Sequence, residues 1–196
     1  MTAARPGLAT VLVLCCAAAS GARGEALVVT TPLPDGDFES GPGTWTELSN
    51  HNLGIYPLVV PSNDLPQGVT PHDGTHAAWF GGFDDDDSSL QQSVTVPAIL
   101  PKLGAWYWVS SGEVICGFDV LTVRVNDTVV DTVNLCGSNN TGGWTLRTVD
   151  LAAYAGQTVT LRVRVVTDSS VNSNLFADTF FFESQTEIVF ADGFEG

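Results

Sequence analysis

The segment from Asp150 to Glu183, DLAAYAGQTVTLRVRVVTDSSVNSNLFADTFFFE, constrains this chain more than any other stretch. From Thr158 onward, Val159, Leu161, Val163 and Val165 fall on one side and Thr160, Arg162, Arg164 and Val166 on the other. That period-two alternation is the signature of a strand with one buried face. Tyr154-Ala155-Gly156-Gln157 forms the glycine-bearing turn that starts it, and the polar run Asp168 to Asn174 ends it. Leu175 to Phe182 is too apolar for an edge and reads as the centre of a sheet, yet it contains Asp178. A buried, unpaired carboxylate costs several kcal/mol, so Asp178 must be ion-paired, hydrogen-bonded or bound to a cation.

The rest of the chain keeps the same rhythm. Strand-like runs at 25–31, 44–50, 55–60, 76–81, 88–96, 103–111, 120–126, 129–135 and 144–150 are bounded by Gly, Pro, Asn or Asp, and no window has helical periodicity. Asn126-Asp127-Thr128 between two of these runs is a hairpin signal, and residues 61–74 read as a long surface loop. Short strands at this spacing predict an all-β antiparallel sandwich, a single domain over 25–186. A chain of this length buries about 70% of its unfolded surface, enough for a core without many staples.

Residues 1–22 read as a signal peptide, with Arg5, an apolar run over 8–19 and the small residues Ser20-Gly21-Ala22. The apolar run is shorter than the ~20 residues of a membrane span, so the expected protein is secreted or on the cell surface, without membrane insertion after cleavage. Cleavage leaves Cys116 and Cys136. In an exported chain a disulfide between them is the expectation, and two separate thiols are the alternative. The formal charge of −15 becomes −16 without Arg5, and no basic cluster exists in sequence. Nucleic acid and anionic membrane surfaces are therefore poor partners, whereas cations, neutral glycans and basic proteins suit the charge. Nothing in the sequence reports the oligomeric state.

The series DGDFESGPGTW, HDGTHAAWFGG, SSLQQSVTVPA, LGAWYWVSSGE, DVLTVRVN, GGWTLRTVDLAAYAGQTVTLRVRVVTDSS and NLFADTFFF resembles the bacterial jelly-roll domains related to MAM domains. Such domains accompany immune-inhibitor-A-type secreted metallopeptidases, and the wider group includes galactose-binding-like carbohydrate-binding modules. The resemblance spans residues 35–183 and implies an antiparallel jelly-roll β-sandwich, a fold that hosts sugar binding, adhesion and structural roles. The tail at 187–196, with IVFADGFEG, resembles a short C-terminal motif of secreted and surface proteins.

The resemblance also implies a structural calcium ion. Its ligands would come from Asp37 and Glu39, from the loop holding Asp73, and from Asp178, with Thr179 standing where relatives carry a second aspartate. The alternative is that Glu39 and Asp178 accept hydrogen bonds from backbone amides with no metal. The run Asp84-Asp85-Asp86-Asp87 reads as a solvated turn, with an additional calcium as its alternative.

Alternation places Trp106 and Trp108 opposite Leu103, Ala105, Tyr107 and Val109, and Arg124, Arg162 and Arg164 opposite the valines and leucines of their own strands. Indoles with guanidinium groups suit stacking on sugar rings with donors for hydroxyls, or an acidic ligand. The alternatives are arginines solvating a sheet face, or loops covering the indoles. Trp45, Trp79 and Trp144 neighbour turns and read as packing residues, and Tyr56 has no reading. His51, His72 and His76 lack zinc-motif spacing, and GxSxG, phosphate-loop and dinucleotide motifs are missing. The expected function is non-catalytic recognition of an extracellular ligand, with a glycan first and a surface protein second. A carboxylate-dependent glycan hydrolase is the third reading.

Overall fold

The computed structural model describes residues 27–41 and 43–186; the expected signal peptide at 1–22 and tail at 187–196 lie outside them. The strands are β1 (Leu27–Pro32), β2 (Thr46–Ser49), β3 (Val59–Pro61), β4 (His76–Gly81), β5 (Asp87–Thr95), β6 (Lys102–Ser111), β7 (Val120–Val125), β8 (Thr128–Asn134), β9 (Thr145–Asp150), β10 (Thr158–Val166) and β11 (Ser173–Thr186). One sheet runs β3-β4-β11-β6-β9 with β1 also paired to β11, and the other runs β2-β5-β10-β7-β8. Every pairing is antiparallel, as the jelly-roll sandwich requires.

The alternating segment lies in the middle of the second sheet. Val159, Leu161, Val163 and Val165 of β10 are buried against Phe80, Val109 and Leu175 in one continuous core. Full burial of each such side chain contributes about 1.5–3 kcal/mol, so the period-two pattern alone orients the strand. β7 and β8 meet at Asn126 (φ 48°) and Asp127 (φ 66°), the left-handed pair a tight hairpin needs and that Asn and Asp tolerate. The run at 55–60 differs from expectation: only its end enters β3. Ile55 and Tyr56 instead donate their N–H groups to the carbonyl of Asn52, which turns the chain outward.

β11 is central, as its apolar sequence predicts, and it serves two neighbours on one side. Residues 174–177 pair with β4, and 181–186 pair with β1. Between these stretches a bulge at Asp178–Phe181 takes Thr179 to φ 53° and opens a gap in the sheet. The first loop fills part of it: Leu33 N–H donates to Phe180 O (3.1 Å) and Phe180 N–H to Gly36 O (2.8 Å). Residue 36 must be glycine, since a Cβ there would stand 2.2 Å from Phe180 O. Phe38, Trp45 and Phe180 pack ring to ring behind this junction.

Cys116 and Cys136 form a disulfide with Cα atoms 5.2 Å apart, bridging the segment after β6 to the end of β8. Closing a loop of that separation stabilises a fold by about 3 kcal/mol in the chain-entropy view. At one open side of the sandwich, Arg147 of β9 pairs with Asp131 of β8. At the other, Glu47 of β2 accepts the N–H groups of Leu58 (2.7 Å) and Val59 (3.4 Å).

Candidate functional site

The four residues expected around calcium are all acceptors of backbone hydrogen bonds. Asp178, fully buried, takes the N–H groups of His72 (2.9 Å) and Asp73 (3.1 Å) on Oδ2 and its neighbour Thr179 (2.6 Å) on Oδ1. Glu39 takes Thr75 N–H (2.7 Å), Thr75 Oγ1–H (2.8 Å) and His76 N–H (2.7 Å). Asp37 accepts from Glu39 N–H and Asp73 from Gly74 N–H. Backbone and hydroxyl donors therefore take part of the acceptor capacity of these carboxylates, and among the described residues no three acidic, His or Cys side chains converge as a metal group. The loop at 72–76 is clipped to the first loop by Glu39 and to the last strand by Asp178.

Electrostatics follow that arrangement. Burial pushes the Asp178 carboxyl up to about 7, against the pull of its three amides. Glu39 is also pushed up by burial, but its bonds from Thr75 and His76 outweigh this and hold it below its ordinary value. Burial lowers His72, with Asp73 opposing.

Trp106 and Trp108 do face away from the main core, but they are covered. Trp106 stacks on His72 with centroids 4.2 Å apart. Trp108 joins a second cluster in which Leu65 and Val69 lie over Val60, Ala77 and Phe176, with Trp79 and Trp144 alongside. Trp144 Nε1–H donates to Thr70 O (2.8 Å), fastening the loop over the sheet. Arg124, Arg162 and Arg164 lie on β7 and β10, on the outer face of the opposite sheet. The expected indole and guanidinium combination is thus split between two faces of the molecule.

A different set of residues forms a cleft of about 260 Å³ on the open edge where β2 faces β3 and β4. Its walls come from the 51–58 segment, from Val60, Asp64, Trp79 and Gly81, and from the turn bearing Phe83 and Asp86. Tyr56 (49% exposed) and Phe83 (36%) meet edge to face at 5.0 Å, and the His51 ring lies 4.5 Å from Phe83. The two rings together form a small exposed apolar patch at the cleft.

Of the polar residues lining the cleft, Asp64 is exposed and Asp86 and the His51 Nε2 atom are buried. Asp86 is only 3% exposed, and its Oδ2 accepts Ser88 Oγ–H (2.5 Å) and Gly81 N–H (3.1 Å). Its Oδ1 stands 3.6 Å from His51 Nε2, too far for a hydrogen bond, and that nitrogen is buried without a partner. Burial raises the Asp86 carboxyl above its ordinary value, opposed by Ser88, Gly81 and His51.

The Asp84–Asp87 run thus departs from a uniformly solvated turn. Asp84 and Asp85 are exposed, Asp86 turns inward, and Asp87 pairs with Arg164 at 2.7 Å. Sequence reasoning passed over Tyr56, Phe83, His51 and Asp86. The available signal was aromatic residues placed inside Gly-, Asn- and Asp-rich turns, where no core explains them.

No family model matches the sequence, and no curated protein matches it. Several solved structures do share its fold. The K2 cleaved adhesin domain of Lys-gingipain is 21% identical, with a TM-score of 0.54 over 79% of this chain and 98% of that one. TmCBM61, solved in complex with β-1,4-galactotriose, is 17% identical, with a TM-score of 0.51 over 80% and 99% of the two chains. The K1 cleaved adhesin domain of Lys-gingipain from Porphyromonas gingivalis W83 is 11% identical, with a TM-score of 0.50 over 80% and 98%. At these identities the likeness is one of fold, a β-sandwich of the kind found in carbohydrate-binding and adhesin domains. The MAM part of the resemblance has no counterpart among family models.

Proposed function

We propose that this protein is a non-catalytic, extracellular recognition module that takes a neutral glycan ring in the Tyr56–Phe83 cleft. The observation that carries the reading is one wall of exposed aromatic surface beside a buried polar atom without a partner, His51 Nε2. A sugar presents both halves of that complement, an apolar C–H face for stacking and hydroxyls for Asp86, His51 and Asp64. The fold is compatible, since TmCBM61 is a sandwich crystallised with a galactan oligosaccharide. Secretion, expected from the N-terminal segment, would support the reading by bringing the module to such ligands.

A second reading, adhesion to a surface protein, rests on a separate feature. The disulfide-tied segment after β6 exposes Val114 (92%), Ile115 (66%) and Phe118 (53%) together.

A glycan array followed by calorimetry on the purified chain tests the primary reading. Tyr56→Ala and Phe83→Ala should each weaken binding, while Trp108→Ala should lower stability and leave affinity intact. Absence of any retained glycan, with capture of a protein through the 113–118 segment, supports the second reading. Turnover of a bound oligosaccharide overturns the non-catalytic assignment.

A further inference from the structure

The outer face of the five-stranded sheet carries a feature independent of the cleft. Arg124 on β7 and Arg162 on β10 are register partners, directly opposite one another. Their strand neighbours Val123, Val125, Leu161 and Val163 are buried, so both guanidinium groups stand on the outer side, with Arg164 two residues along. Three of the seven Lys and Arg residues in the chain therefore share one face. Like charges opposite each other on adjacent strands destabilise a sheet, and nothing in the fold requires the pair.

One carboxylate lies among them and it is already engaged. Asp87 receives Arg164 Nε–H and Nη2–H, both at 2.7 Å. Arg162 Nε–H donates to Ser89 Oγ (3.0 Å), and Arg124 reaches only Thr122 Oγ1 and Asp127 O, at 3.5 and 3.4 Å. Among the described residues, neither Arg124 nor Arg162 has a carboxylate within 4.0 Å. Asp87 registers the local field, held below its ordinary value first by the Arg164 hydrogen bond and then by the charges of Arg164, Arg162 and Arg124.

We infer that Arg124 and Arg162, flanked by Arg164, form a binding site for a carboxylate-bearing sugar, a uronate unit within an otherwise sparsely charged extracellular glycan. A planar carboxylate matches the guanidinium fork, and one placed between the two arginines offsets the repulsion that the bare pair carries. Gln91, Thr122 and Thr160 surround the pair with groups able to meet sugar hydroxyls. The charge of −15 opposes long polyanions, so a short uronate oligosaccharide is the appropriate probe. A single carboxylate at contact distance feels mainly the nearby arginines, because the Debye length at physiological salt is about 8 Å.

The test titrates the full chain with trigalacturonate and with galactotriose, following binding by calorimetry and by backbone NMR shifts. Trigalacturonate should bind and perturb β7 and β10, and Arg124→Gln with Arg162→Gln should weaken it by roughly tenfold or more. Arg162→Lys, which keeps the charge and the fold but loses the fork, should also weaken it, whereas Tyr56→Ala should not. Loss of galactotriose binding in Tyr56→Ala with trigalacturonate unaffected would separate this site from the cleft. Equal response to the acidic and neutral trisaccharides overturns the inference, as does equal binding by wild type and the double variant. Shifts produced by inorganic sulfate but not by trigalacturonate would mark a bare anion site and overturn it too.

Discussion

Replacing Glu39 with alanine removes three hydrogen bonds at once, those from Thr75 N–H, Thr75 Oγ1–H and His76 N–H. A hydrogen bond to a charged acceptor contributes about 1.5–3 kcal/mol when buried. The Glu39 side chain is 32% exposed, and solvent then competes for the freed donors, so about 1 kcal/mol for each bond is the appropriate scale. The sum is about 3 kcal/mol, equivalent to roughly 6–12 °C in melting temperature for a domain of this size. Glu39→Gln keeps an acceptor oxygen but turns an NH₂ group toward a donor, and should cost about half as much. Thermal melts at neutral pH, run with chelator and again with excess calcium, read the effect. Amide exchange at Thr75 and His76 localises it. Wild type should melt identically in both buffers. The reasoning is refuted if calcium raises the wild-type melt by several degrees and chelated wild type coincides with Glu39→Ala. In that case an ion, and not the amides, holds the carboxylate.

Gly74→Ala should unclip the same loop, because residue 74 sits at φ +62° and its Cβ would stand 2.5 Å from the Glu39 carboxyl carbon; a melt lowered by several degrees checks this. Asp178 has its carboxyl raised from 3.8 to about 7, so the folded state holds a proton that the unfolded chain has lost between those values. Its contribution to stability is thus full at acid pH, declines as pH rises through about 4 to 7, and is flat above. Asp178→Asn should remove that slope in denaturant midpoints measured across the window. Asp87 has the opposite sign: held low by Arg164, it contributes above its unfolded value near 3.8 and loses that contribution as pH falls below it, a loss Asp87→Asn should abolish. Reducing the Cys116–Cys136 bond should lower the denaturant midpoint by the equivalent of about 3 kcal/mol, and intact protein should show no alkylatable thiol at either position.

How much of this was legible in the sequence depends on which force set each feature. The two-sheet sandwich, the hairpin at Asn126–Asp127 and the central place of β11 all follow from period-two burial and turn chemistry, which act locally. The outward direction of Trp106, Trp108 and the three arginines followed from the same alternation. What lies on top of an outward residue does not. Leu65 and Val69 in the Pro- and Gly-rich loop fold back over the indoles, a long-range contact marked only by two apolar residues in a polar stretch. The assignment of strands to sheets likewise separated Trp106 and Trp108 from Arg124, Arg162 and Arg164. The need of Asp178 for partners was legible from burial cost. Which amides would reach it was not, because that depended on where the 72–76 loop lands. Asp86 escaped notice because a run of four aspartates resembles a solvated turn until Asp85 takes φ 54° and points the next side chain inward.

The pairing of β1 with β11 has a mechanical side. Leu27 is the register partner of Thr186, so the chain enters and leaves the sheet at one end of the same antiparallel pair. Tension applied through both ends loads the ladder one rung at a time, like a zipper, and each backbone bond carries the force alone before passing it to the next. Single-molecule pulling between residues 27 and 186 should therefore peel β1 away at low force. Moving one handle to residue 173, at the opposite end of β11, sets the same bonds in shear and should raise the rupture force sharply. A domain held by both termini on a surface under flow would then yield gradually at its first strand, while the disulfide-tied and core-packed remainder keeps its shape.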